Sequence, residues 1–239
     1  MDATLRFELG GREYNIVSPK VLQLATFRTI LQSYYGGIEV APLGEIKSVV
    51  DVGACIGMTA LTFATIWPEA SILAIEPHPI LFRYLVKNCE GFPNIHPLNI
   101  ALSDRSEQLR LALPLLEQRS CHTQEVISDN VGMVSRYGKS DDLLAFVDAV
   151  PLDSIVSDGV DYIKIDVEGA EESVLLGAER TLNTYHPVLQ VEVRDSNLGM
   201  AGSDKKSLMS LLAGFGYRSV GELCGDVLLV HKTRKICYS

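Results

Sequence analysis

Apolar and polar positions along the chain switch between a period of two and a period near 3.6, and the switches mark out the elements. Residues 5–9 and 12–17 alternate, and Gly10-Gly11 between them supplies the positive φ angles of a tight turn, which predicts a β-hairpin. Ser18-Pro19 then starts a helix carried by Val21, Leu22, Leu24, Ala25, Thr29 and Leu31 towards Tyr34-Tyr35, and Gly36-Gly37 stops it. Residues 49–52 are apolar except for Asp51, the pattern of a central strand covered on both faces. A helix over 59–67 follows. A strand over 71–75 ends in Glu76-Pro77, and the next helix runs from Ile80 to about Cys89 with Leu81, Leu85 and Val86 at helical spacing.

Residues 94–102 and 108–113 read as further strands. Residues 114–139 show no sustained period yet carry Ser120, Cys121, His122, Asp129, Asn130, Gly132 and Arg136, and a long irregular insertion of this kind is expected to form a substrate lid. Ser140-Asp141-Asp142 predicts a short capped helix over 140–146, and 150–155 leads towards a strand over 162–166. A helix with Val174, Leu175, Ala178 and Leu182 on one face follows, then a strand over 187–193 with Glu192 near its end. A polar loop over 195–205, a helix over 207–213 and a hairpin of 217–223 with 227–232 around Gly225-Asp226 close the series. Strands alternating with helices predict an α/β fold, and the final hairpin adds antiparallel strands to its parallel sheet.

The chemistry concentrates where the first apolar strand ends in Asp51-Val52-Gly53-Ala54-Cys55-Ile56-Gly57. Gly53 and Gly57 allow a sharp strand-to-helix turn with the backbone close to a ligand. A dinucleotide cradle needs G-x-G-x-x-G, and three residues separate these two glycines, so a nicotinamide-dependent oxidoreductase is the disfavoured alternative. Glu76, at the end of the next strand, can grip both hydroxyls of a ribose. In an open α/β sheet ligands bind at the carboxyl ends of the strands, so Asp51, Glu76, Asp166 and Glu192 are expected to converge on one edge.

The run D-x-G-A-x-x-G followed by Ile75-Glu76-Pro77 resembles the class I S-adenosylmethionine-dependent methyltransferases. Ile163-Lys164-Ile165-Asp166-Val167-Glu168-Gly169-Ala170-Glu171 is similar to the signature of the FkbM family within that class, and the resemblance runs from 49 to 193 with a weaker echo over 227–232. It implies a Rossmann-like fold with a mostly parallel seven-stranded sheet, a C-terminal antiparallel hairpin and helices on both faces, over 46–239, with residues 1–45 as an accessory or cap. It also implies S-adenosylmethionine as cofactor, with Asp51, Gly53, Ala54 and Gly57 at its amino-acid and ribose end, Glu76 and Pro77 at the ribose, and Ala101 and Leu102 beside the adenine. Asp166 and Glu168 are implied to line the catalytic centre, and either carboxylate could take the acceptor's proton. The expected reaction is O-methylation of a small-molecule hydroxyl, a sugar or secondary metabolite. The alternative outside catalysis is a silent relative that binds the cofactor as a partner subunit.

Composition narrows the partners. A net charge of −9, from 30 acidic against 21 basic residues, argues against a nucleic-acid substrate, because phosphates require a positive surface. No apolar run is long enough to span a bilayer, and Asp2, Arg6 and Glu8 stand where a signal peptide would be apolar, so no membrane and a cytoplasmic location are expected. The five cysteines are scattered without a C-x-x-C pair, which suggests neither a disulfide framework nor a zinc site. The D-V-E acids lie in a strand-to-helix turn rather than a recognisable metal loop, so no metal is expected. His122 and His231 are read as surface and structural histidines. A homodimer is compatible with the pattern, which does not specify oligomeric state.

Overall fold

The computed structural model describes residues 2–19, 43–113, 143–200, 202–223 and 225–234. The amino-terminal hairpin forms as expected: β1 (Asp2–Leu9) pairs antiparallel with β2 (Arg12–Pro19), and Gly10 and Gly11 turn between them at φ 55° and 76°. It docks by burying Tyr14 and Ile16, with Tyr14 stacked on Phe92 and hydrogen-bonded to Thr65. Asn88 fixes the hairpin further, accepting from Val17 N and donating to Val17 O. Ser18 and Pro19, expected to start a helix, instead end β2, paired with Ala3 and Asp2 of β1; the rest of that helix and the lid expected over 114–139, with Cys121 and His122, lie outside the described residues.

The central sheet is built in repeating strand–helix units: β3 (Ser48–Val52), α1 (Met58–Ile66), β4 (Ser71–Ile75), α2 (Pro79–Asn88) and β5 (Ile95–Leu98). Here the chain departs from its pattern. The single strand expected over 94–102 splits into β5 and β6 (Ala101–Leu102), because Asn99 turns out of line to donate its side-chain amide to the carbonyls of Glu76 and Pro77. β6 joins a separate three-stranded sheet with β7 (Glu107–Leu113) and β8 (Leu143–Val150), ordered β6-β8-β7. The capped helix expected over 140–146 is therefore a strand from Leu143 onward. Its alternation decides the matter: Val147 and Ala149 are buried while Phe146 and Asp148 are exposed, and pairing with β7 overrides the local cap signal.

A short α3 (Leu152–Ile155) leads to β9 (Tyr162–Ile165), followed by α4 (Glu171–Leu176), α5 (Glu179–Tyr185) and β10 (Val188–Glu192). The polar loop expected after β10 contains α6 (Asp195–Met200), whose turn closes when Asn197 N and Leu198 N both donate to Arg194 O and Leu198 is fully buried. Burial of that one leucine outweighs the weak helix formers around it. α7 (Lys205–Gly214), capped by Asp204, precedes β11 (Tyr217–Leu223) and β12 (Asp226–His231).

The main sheet has seven strands in the order β11-β12-β10-β9-β3-β4-β5. Neighbours from β10 to β5 run parallel, and β12 and β11 close the edge antiparallel. This is the Rossmann-like methyltransferase arrangement that the resemblance implies. Alternate residues of each strand serve two cores. Val49, Tyr162 and Val188 pack under α1, α2 and the hairpin, while Val50, Val52, Ile163, Ile165, Leu189 and Val191 pack under α4, α5 and α7. Each fully buried aliphatic side chain contributes about 1.5–3 kcal/mol. No helix among the described residues is long and apolar enough to cross a membrane.

The break between α4 and α5 falls at Gly177, where the helices approach the second sheet. A Cβ there would lie 2.1 Å from Ser103 O and 3.2 Å from Pro151 Cα, both backbone atoms. Gly177→Ala is expected to destabilise the fold by about 2–3 kcal/mol, read as a lower denaturant midpoint at unchanged slope. An unchanged midpoint would show that this backbone contact yields freely.

Candidate active site

The loop after β3 folds back on its neighbour, with Gly53 N and Ala54 N both donating to Ile75 O at 3.0 and 2.9 Å. Gly53 and Gly57 adopt φ 84° and 93°, which side chains resist. The space their missing Cβ atoms leave is taken by protein, not left open to a ligand. A Cβ at Gly53 would lie 1.9 Å from Asp166 O, and one at Gly57 2.9 Å from Leu85 Cδ1 and 3.1 Å from Cys89 Sγ. The glycines thus seat the loop against the end of β9 and against α2. Cys55, between them, also has positive φ (52°), and burial pushes its thiol up, so it is no ready nucleophile.

Glu76 is buried and already engaged. Its Oε2 accepts from Cys55 N and its Oε1 from His78 N, each at 2.8 Å, which ties the two strand-to-helix loops together. Burial outweighs these two bonds and pushes the carboxyl up to about 7. A ribose at Glu76 would meet the remaining lone pairs of an anchored carboxylate. His78 caps α2 through Nδ1, and Pro77 is buried beside it, its carbonyl held by Asn99. Ala101 and Leu102 find their partners elsewhere: Ala101 packs with Leu111, Val147 and Ala149, and Leu102 joins the core under α4 and α5. Their side chains are spent on packing.

Asp51 is completely buried, and among the described residues neither carboxylate oxygen has a well-formed hydrogen bond, its charge being favoured only by Lys164 and a backbone contact from Ala60. Burial pushes its carboxyl up to about 6, with Asp166 adding and Lys164 opposing. A buried carboxylate so weakly held is costly, and a cationic ligand group would complete it. Asp51 lies opposite Lys164 on β9, and Lys164 opposite Gln190 on β10, so three polar side chains form a row across an otherwise apolar sheet face. Lys164, 2% exposed, donates to Asp166 Oδ2 at 2.9 Å. Gln190 accepts from Tyr162 OH at 2.5 Å and donates to Asp226 Oδ2 at 2.6 Å.

At the carboxyl ends of β9 and β10, Asp166, Glu168 and Glu192 each bring a carboxylate oxygen within 4.8 Å of the others. Protein donors already engage all three. Lys164 holds Asp166, Arg194 Nε lies 2.9 Å from Glu192 Oε1, and Asn197 Nδ2 donates to Glu168 Oε2 at 2.6 Å and to Glu192 Oε2 at 3.1 Å. A cation at this cluster would compete with these donors for the carboxylate oxygens. Glu168 has φ 55°, an unfavourable conformation for a side chain and a mark of local strain. Burial, then Glu192 and Asp166, push its carboxyl up to about 8. Glu192 is likewise raised, by burial and by Asp166.

Glu168 and Glu171 divide two roles that their shared position at a helix start leaves open. Glu171 Oε1 accepts from Val167 N and Gly169 N and so closes the turn, while Glu168 faces Asn197. His231 stands at the end of β12 away from Asp226, stacked on His186 with ring centroids 3.7 Å apart, a structural position. Lys164 and Gln190 were visible as single polar residues in apolar strands. Asn197 carried no such signal, since its reach to the acids depends on α6.

The family model described as the methyltransferase FkbM domain matches residues 51–219. The protein called methyltransferase 1 of Beauveria bassiana is 27% identical over 158 residues, covering 59% of this chain and 62% of its own. Methyltransferase sdnD of Sordaria araneosa is 29% identical over 165 residues, covering 59% and 64%. The AMB antimetabolite synthetase AmbE of Pseudomonas aeruginosa is 26% identical over 220 residues, 80% of this chain but 10% of that protein. The chain thus spans less than two thirds of each of these relatives. With the family model extending from Asp51 of the glycine loop through β9, β10 and into β11, the chain belongs to the S-adenosylmethionine-dependent FkbM methyltransferase family.

Proposed function

We propose that the chain transfers a methyl group from S-adenosylmethionine to a hydroxyl of a small molecule, a sugar or secondary metabolite, with Glu168 as the base. The observation that carries this reading is the state of Glu168. One oxygen is held by Asn197, the other makes no hydrogen bond among the described residues, and the carboxyl is poised near 8, where a base working at neutral pH is most effective. Bound cofactor supplies an already electrophilic methyl carbon, so the protein's task is to place an acceptor oxygen in line and remove its proton. Asp51 fits the cofactor's cationic amino-acid end, being buried with no well-formed hydrogen bond among the described residues, and Glu76 fits its ribose. Asp166, oriented by Lys164, would border the methyl group. The matched segment of an antimetabolite synthetase supports a small-molecule acceptor.

The test is incubation with methyl-labelled S-adenosylmethionine and pools of hydroxylated small molecules, followed by identification of the labelled product. An O-methyl ether supports the reading, whereas a methyl ester, which comes from a carboxylate acceptor, contradicts it. Label found only on nitrogen, carbon or sulfur, or no transfer by folded protein that binds the cofactor, contradicts it.

A further inference from the structure

Glu168 and Glu192 approach a single nitrogen, Asn197 Nδ2, at 2.6 and 3.1 Å. Asn197 is itself buried at the start of α6, anchored through its backbone to Arg194 O. Its amide has one orientation: Ser196 Oγ donates to Asn197 Oδ1, which turns both N–H groups towards the carboxylates. The charged groups facing Glu168 are Asp166 at the end of β9, Glu171 on α4, Glu192 on β10 and Arg194 beyond it. Three are acids. Arg194 Nε lies 2.9 Å from the far oxygen of Glu192 and its charge also favours ionised Glu168, while Asn197 Nδ2 donates to Glu168 Oε2.

We propose that Asn197 is the positioning residue of this site, its amide clamping Glu168 and Glu192 side by side so that Glu168 Oε1 stays free to take the acceptor's proton. The inference rests on the role proposed for Glu168. A carboxamide does this where another residue would not. It gives two hydrogens to two like-charged groups and adds no charge, whereas aspartate of the same shape would oppose them with a further acid.

The experiment needs no acceptor. Protein labelled with 13C at the glutamate side-chain carboxyls is titrated with pH in the presence of S-adenosylhomocysteine, and the Glu168 signal is identified by its absence from Glu168→Gln protein. Loss of the donor in Asn197→Ala should move the Glu168 midpoint upward by about one unit, a tenfold change in ionisation, and Asn197→Asp should move it further. Thermal melting and binding of the same nucleoside confirm that each variant is folded. A midpoint that stays within about 0.3 units in both folded variants overturns the role of Asn197 alone. A wild-type Glu168 that titrates in the ordinary carboxylate range overturns the base assignment instead, so the two failures are distinct.

Discussion

Glu168→Gln is expected to slow methyl transfer by about 10²–10⁴-fold, the range that a positioned base contributes, while leaving cofactor affinity within about threefold. Glutamine keeps the shape and can still accept from Asn197, but it cannot take a proton. The wild-type rate should rise with pH and level off above about 8, because a carboxyl pushed up to that value by burial and by Glu192 and Asp166 is protonated below it. In Glu168→Gln that rise should vanish. The measurement is kcat and KM across pH with the acceptor found by the labelling screen. A variant with wild-type kcat would remove Glu168 from the chemistry.

Gly53→Ala is expected to weaken cofactor binding by about 100-fold or more and to lower the melting temperature. Two costs add. Alanine at φ 84° is strained by on the order of 1–2 kcal/mol, and its Cβ would overlap Asp166 O at 1.9 Å. That oxygen belongs to backbone whose own amide donates to Val52 O, so the end of β9 cannot retreat without breaking its pairing with β3. The loop must move instead, taking the Ala54 and Cys55 amides away from Ile75 and Glu76. Calorimetry with S-adenosylmethionine and a melting curve measure both effects. Unchanged values in both would mean that the contact between this loop and Asp166 is not what shapes the site.

Most of this architecture is legible in the chain because two-sided burial leaves a strong imprint. Val49, Val50 and Val52 around Asp51, and Ile163 and Ile165 around Lys164, read as central strands whose polar exceptions stand out. Elements decided by long-range pairing are not legible. β8 becomes a strand because β7 lies beside it, and β6 leaves the main sheet because Asn99 binds the backbone of Glu76 and Pro77. Asp51, Glu76, Asp166 and Glu192 were expected to converge on one edge; of these, Asp166 and Glu192 cluster within 4.8 Å, joined by Glu168, while Asp51 and Glu76 stand outside that cluster. What their order along the chain does not reveal is who holds them. Asn197 reaches Glu168 only through a helix stabilised by burial of Leu198, and Glu76 is bound by amides of two different loops.

The acids also set the pH response of cofactor binding. Asp51 and Glu76 are pushed up to about 6 and about 7 by burial, so at low pH the free protein holds them protonated, and ionising them in the empty fold costs stability as pH rises from their unfolded values through these folded ones. Lys164 favours ionised Asp51, while Asp166 and Asp226 oppose it. A cationic ligand requires the charged form. Affinity for S-adenosylmethionine should therefore grow between about pH 5.5 and 7.5, with uptake of cofactor releasing protons. The most direct measurement is a calorimetric titration of the folded protein with S-adenosylmethionine across that range, beside Asp51→Ala. The account predicts one site per chain, affinity that rises with pH, and a drop of about tenfold or more together with a flattened profile in the variant. No detectable binding, or binding that neither pH nor loss of Asp51 alters, would contradict it.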